Sequence, residues 1–172
     1  MASGQQHDRA TYWLALPYGL LWWPWLGPVG ALTSGLAFLI GGLWLSPDLD
    51  THSRPYQRWG PIRILWWPYR TFLRHRSLLS HTPVLGSAGR LIYVGSLIAG
   101  LAWLLHPWGA PHPHAMLQRL EQCWQQQRGL SLALLIGVEA SAWLHLIQDG
   151  DPLPRLPRVL KRRQRRRHTL KW

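Results

Sequence analysis

A chain of 172 residues with one Cys, Cys123, has the length of a single domain and no partner for an intrachain disulfide. Hydrophobic residues make up 47% and charged residues only 15%, which excludes a disordered chain. Trp outnumbers Phe by 13 to 2, a bias suited to the headgroup layer of a membrane, where an indole meets apolar and hydrogen-bonding neighbours together.

In chain order, the first ten residues hold one Arg and no basic run, unlike a cleavable signal peptide, so His7 and Asp8 are expected to be retained. Four apolar stretches follow: 11–26, interrupted by Pro17 and Pro24; 28–45; 91–105; and 130–147, which contains Glu139. Each approaches the ~20 residues that carry a helix across ~30 Å of hydrocarbon. Gly27-Pro28 is expected to turn between the first two, while Pro47, Pro107 and Gly150 with Pro152 close the others. The expected fold class is all-α: a small membrane-embedded bundle of about four helices over residues 1–151, followed by a basic cytoplasmic tail over 152–172. Buried core helices of a soluble protein are the alternative left by length alone.

Charge placement favours the bilayer. With both termini cytoplasmic, every Lys and Arg except Arg119 and Arg128 falls inside, the asymmetry expected of a bacterial inner-membrane protein. Between Arg58 and Arg70, Trp59, Trp66, Trp67 and Tyr69 alternate with Arg, which suits a segment lying in the headgroup layer. The KRRQRRR run from Lys161 to Arg167 reads as a topology determinant. Membrane lipids with anionic headgroups, rather than nucleic acid, are its expected partner.

This topology collects chemistry at one edge: His7 and Asp8 before the first span, Asp48 and Asp50 after the second, His75 and His81 before the third, His145 and Asp149 ending the fourth. His145 and Asp149, four apart, share a helix face. Asp48 and Asp50 suit a turn, whereas His75 and His81, six apart, would point about 240° apart on one continuous helix, so a break is expected between them. Two helices present their negative ends here beside three carboxylates, a repulsion that a divalent cation would relieve. Mixed imidazole and carboxylate donors suit Zn first, with Mn or Fe as alternatives. Salt bridges to local Arg are the competing use of the acids. Glu139 reads as a neutral, hydrogen-bonded structural acid, and His112 and His114 as loop residues on the opposite side.

Ser3-Gly4-x-x-His7-Asp8-Arg9, Pro47-Asp48-Leu49-Asp50-Thr51-x-Ser53, Arg58-Trp59-Gly60-Pro61, His75-Arg76-Ser77-x-x-Ser80-His81 and His145-x-x-x-Asp149 resemble the domain of unknown function 2227 family of metal-binding membrane proteins, over residues 3 to about 151. The chain is more distantly similar to inner-membrane metal-dependent hydrolases, departing from them where Ser80-His81-Thr82 stands for their usual Thr-His-Ser. The resemblance implies that His7, Asp48, Asp50, His75, His81, His145 and Asp149 are the metal ligands, for one ion or more. If hydrolysis is the chemistry, on a phosphoester or lipid-like substrate, Asp8 is the candidate general base and Arg74 or Arg76 would stabilise developing negative charge. A cap or a partner for Arg9 is the competing role for Asp8. The alternative function is non-catalytic metal binding in sensing, storage or scaffolding.

Overall fold

The computed structural model describes residues 2–73 and 81–150, which form seven α-helices and three short 3-10 turns with no strand among them. Ser3 opens α1 (Gly4–Leu20) with a capping box: its hydroxyl accepts from the Gln6 N–H, and Gln6 Oε1 accepts from the Ser3 N–H at 2.6 Å. The chain reverses at Leu21 and Trp22 into α2 (Trp23–Leu43), where Pro24 sits in the first turn, a place that needs no N–H donor. Gly27, at φ 62° and ψ −162°, kinks α2, and Pro28 restarts it. The expected turn at Gly27-Pro28 is therefore a kink inside a helix, and the stretch 11–26 is shared between two helices. Pro24 opens a helix where the sequence reading took it for an interruption.

Beyond α2 come a 3-10 turn (Pro47–Asp50), α3 (Arg54–Arg58), a second 3-10 turn (Gly60–Trp66) and α4 (Trp67–Phe72). Then follow α5 (Leu85–Leu105), a third 3-10 turn (His106–Trp108), α6 (Pro113–Gln126) and α7 (Arg128–Gln148). Three segments, Trp23–Asp50, Leu85–Trp108 and Arg128–Gln148, are long and apolar enough to cross a membrane. About four such helices are expected from the sequence and three are found among the described residues; α1 is not one of them, because its first turns carry Asp8 and Arg9 and leave a shorter apolar stretch.

Small residues let α1, α2 and α7 approach closely. A Cβ on Gly19 would lie 2.5 Å from the Ala31 carbonyl oxygen, and one on Gly35 3.2 Å from that of Ala15, so the backbones of antiparallel α1 and α2 touch. On the other flank of α2, a Cβ on Gly137 would lie 2.8 Å from the Ser34 carbonyl oxygen and one on Gly41 2.9 Å from Val138 Cα. These pairs make α2 and α7 parallel, so both end at the same edge. By contrast, 11% of the most apolar window of α5 is buried, against 44% and 39% in the other two segments.

Beneath that edge, Leu45, Leu49, Tyr56, Trp66 and Tyr69 form a small core, closed by Tyr93 of α5 with ring centroids 5.3 Å from Trp66 and 5.2 Å from Tyr69. The Arg58–Arg70 segment is therefore not laid flat with all its aromatics outward. Trp66 and Tyr69 turn in, while Ile62, Ile64, Leu65 and Trp67 stay exposed. Glu139 accepts a hydrogen bond from the Val84 N–H at 2.8 Å, which caps the start of α5 and fits the hydrogen-bonded structural role read from the sequence.

Candidate metal centre

Four chain segments converge at this edge: the first turns of α1, the Pro47–Asp50 turn, the residues before α5, and the last turn of α7. His7 and Asp8 are adjacent on α1 and so point about 100° apart, the first toward α7 and the second toward α3. The 3-10 turn is fixed through the Asp48 carbonyl, which accepts from the Ser53 hydroxyl at 2.7 Å and the Thr51 hydroxyl at 3.0 Å.

The decisive geometry is at His7. Its Nδ1 lies 2.8 Å from Gln148 Oε1 and its Nε2 3.2 Å from Asp149 Oδ1, so both ring nitrogens are held by side chains of the last turn of α7 and the residue after it. His145, 5% exposed, stacks on His7 with ring centroids 3.9 Å apart. Its buried Nε2 makes no hydrogen bond and stands 3.4 Å from Asp48 Oδ1 and 3.7 Å from Asp149 Oδ2. His81 Nε2 lies 3.6 Å from the same Asp48 oxygen. Lone pairs aimed at carboxylates repel unless a proton or a cation lies between them. Donors bound at ~2.0–2.1 Å around a tetrahedral ion stand about 3.3–3.4 Å apart, so these separations fit a shared divalent cation.

Two overlapping triads result, His7 with His145 and Asp149, and Asp48 with His81 and His145, each with one donor atom per residue inside 4.8 Å. Asp50 stands behind His81, its carboxylate 3.6 Å from Nδ1, on the ring nitrogen away from Asp48. A carboxylate there orients an imidazole whose other nitrogen meets a metal. Ser46 Oγ lies 3.4 Å from His145 Nδ1 and occupies the corresponding place for that ring.

The sequence profile of the family described as "Uncharacterized metal-binding protein (DUF2227)" matches residues 2–157. The chain belongs to this family. An uncharacterized protein of Aquifex aeolicus (strain VF5) is 46% identical to it over 61 residues, 35% of this chain. The match spans 43% of that relative, so the chain covers less than half of its length. No solved structure matches the chain.

Of the residues assigned to this DUF2227 centre from sequence, five supply the converging donors: His7, Asp48, His81, His145 and Asp149. Asp50 adjoins them through His81. His75 and Arg76, like Arg74, lie outside the described residues. Asp8 is paired neither with Arg9 nor with the donors. Its Oδ2 accepts from Arg54 Nε at 3.1 Å and from Arg58 Nη2, which ties α1 to α3. Sequence reasoning passed over Arg54 and Gln148, and read Arg58 as the start of a headgroup segment rather than as a partner of Asp8. The pairing of Arg54 with Arg58 was legible as two Arg four apart on one face of a short helix. Gln148 carried no signal beyond its place beside Asp149.

A groove of ≈ 380 Å³ opens onto three of the donors, His7, Asp48 and His145, and is lined also by Asp8, His52 and Arg54. The donor set is therefore approachable from outside, which a substrate needs and a purely structural ion does not.

Proposed function

We propose that this chain is an integral membrane metal-binding protein of the bacterial inner-membrane type, with both termini cytoplasmic, that hydrolyses a phosphoester or lipid-like substrate at the cytoplasmic face. The observation that carries the metal part is the convergence of donor atoms from His7, His145 and Asp149, and from Asp48, His81 and His145, each set within 4.8 Å. Because a single imidazole nitrogen has one lone pair, the two triads that share His145 act as one composite centre rather than two independent ones. His7, Asp48, His81, His145 and Asp149 would hold the ion, with Asp50 orienting His81. Zn is favoured by the mixed donors, with Mn or Fe as alternatives.

A divalent cation held there supplies Lewis acidity, lowering the pKa of a water and polarising a phosphoryl or acyl oxygen. Asp8 lines the groove, and both guanidiniums bond its Oδ2, so Oδ1 is the oxygen that would take a proton from that water. His75 is assigned to the same centre, and Arg76 to neutralising charge on the substrate.

The membrane reading rests on surface chemistry. Trp13, Leu16, Trp25, Leu32, Ile92 and Trp103 are all exposed, far more apolar surface than a soluble monomer tolerates. Close helix contacts through Gly, Ala and Ser are the packing that hydrocarbon favours, since lipid exerts no hydrophobic push between helices. α6 buries none of its residues and lines up Met116, Leu120 and Trp124 four apart, suiting a helix in the opposite interface.

The test is metal content of the full chain purified in detergent. One zinc per chain is expected, with zinc lost from both His7→Ala and His81→Ala, because each removes a donor of the one centre. Undiminished metal in both variants would overturn the site. Chelation should abolish zinc-dependent hydrolysis of phosphomonoesters. Five protein donors, enough to fill a tetrahedral shell, favour a second reading of non-catalytic metal binding, and metal retention without hydrolysis of any ester in a broad panel would select it.

A further inference from the structure

The groove beside the metal donors carries groups that suit an anion. Gly4 and Gln5, which line it, carry the first two N–H groups of α1, which no helical carbonyl reaches, at the positive end of a 17-residue helix. Beside them stands Arg54, whose side chain is 48% exposed and uses Nε on Asp8. Of the two acids lining the groove, Asp48 belongs to the donor set and Asp8 is already matched by two guanidiniums. His52 is exposed at the same mouth, its ring edge-on to Tyr56 with centroids 5.5 Å apart. His145, whose buried Nε2 has no hydrogen-bond partner, lines the same groove.

Resting on the metal reading above, we propose that the groove is a phosphoryl-group site. A phosphate monoester fits with its oxygens between the His7, Asp48 and His145 donors and the Arg54 guanidinium, while His52 and the α1 amides supply further N–H donors. A guanidinium fork matches two phosphate oxygens, and a helix N-terminus accommodates the remaining charge. The volume, near the lower end of the roughly 300–1,000 Å³ common for small-molecule pockets, selects a headgroup-sized ester over a polymer. A lipid such as phosphatidic acid and a soluble monoester present the same phosphoryl group, so the chemistry of recognition is the same.

Calorimetric titration of the zinc-loaded full chain with inorganic phosphate, in phosphatidylcholine nanodiscs, tests the site. Arg54→Gln should weaken phosphate binding about tenfold, the loss of one charge-assisted contact, with zinc content unchanged. Arg54→Lys should recover part of the loss, and His52→Gln should weaken binding by a smaller factor. Equal phosphate affinity in the wild type and Arg54→Gln overturns the proposal, as does absence of phosphate binding by a wild type that holds its zinc. A wild type without zinc overturns the metal reading instead, so the two failures are distinguishable. Repeating the titration with phosphatidic acid in the discs separates the sources. Suppressed phosphate binding identifies a lipid headgroup and unchanged binding a soluble monoester, and each result supports the groove as the site.

Discussion

α5 and α7 are both 21 residues long and similarly apolar, yet they are used in opposite ways. Along α7, Ala133, Gly137, Ser141 and His145 are buried and spaced by four, so one face packs against α2 and, continued to Asp149, delivers two donors to the site. α5 buries only Gly86, Ser87, Arg90 and Ala102, all but the last in its first two turns. A Cβ on its Gly95 or Gly100 would meet nothing within 4 Å. The difference teaches that composition alone does not decide how a helix packs. The period of its small residues does, and a stripe every fourth residue that ends in His and Asp ties the packing of α7 to its chemistry.

The sharpest way to break the comparison is at the end of that stripe. His145→Ala removes the donor common to both triads, so zinc affinity should fall by more than the ~10–100-fold typical of losing an outer-shell partner. Competition with a chromophoric chelator measures it, and a loss confined to one triad would show the centre to be two sites.

Next in size is the packing face itself. Gly41→Val places a branched side chain against the α7 backbone at Val138, which cannot yield as a flexible side chain would. Overpacking of this kind costs about 1–3 kcal/mol, seen as a lower unfolding midpoint in detergent. A midpoint equal to the wild type would mean that α2 and α7 are not in backbone contact.

A smaller effect is expected at Gln148→Leu, which keeps every donor but removes the side chain that holds His7 Nδ1. Zinc affinity should fall about tenfold, at the mild end of outer-shell losses, with the fold unaffected. No change would remove the Gln148 contact as the device that aims His7.

Much of this was legible in the sequence because the ligating residues sit at helix ends, where apolar runs stop and polar residues become conspicuous. The pairing of His145 with Asp149 follows from helical spacing alone, and the arrival of His7, Asp48 and His81 at the same edge follows from successive apolar helices running in alternate directions. The helix boundaries near the N-terminus were not legible. A proline reads identically whether it breaks a helix or opens one, and only packing of Gly19 against Ala31 fixes the reversal at Leu21 and Trp22. Nor could spacing tell a donor from its supporting carboxylate. Asp48 and Asp50 are chemically alike, and they differ because a 3-10 turn sets them on opposite nitrogens of His81. Asp8 shows the same limit, since its guanidinium partners lie some 50 residues away in sequence.

The smallest effect lies on α5 and tests the other half of the comparison. Gly95→Ala and Gly100→Ala add a methyl group where nothing stands within 4 Å. They also replace the residue with the greatest backbone freedom by the best helix former, a gain of up to ~1 kcal/mol in an exposed helix interior. The unfolding midpoint should therefore stay level or rise slightly, and zinc content should not move, since both glycines lie beyond Arg90, the α5 residue whose charge acts on Asp50. A fall as large as that of Gly41→Val would show that a partner covers this face of α5, and that its glycines, like those of α2 and α7, are there for close approach.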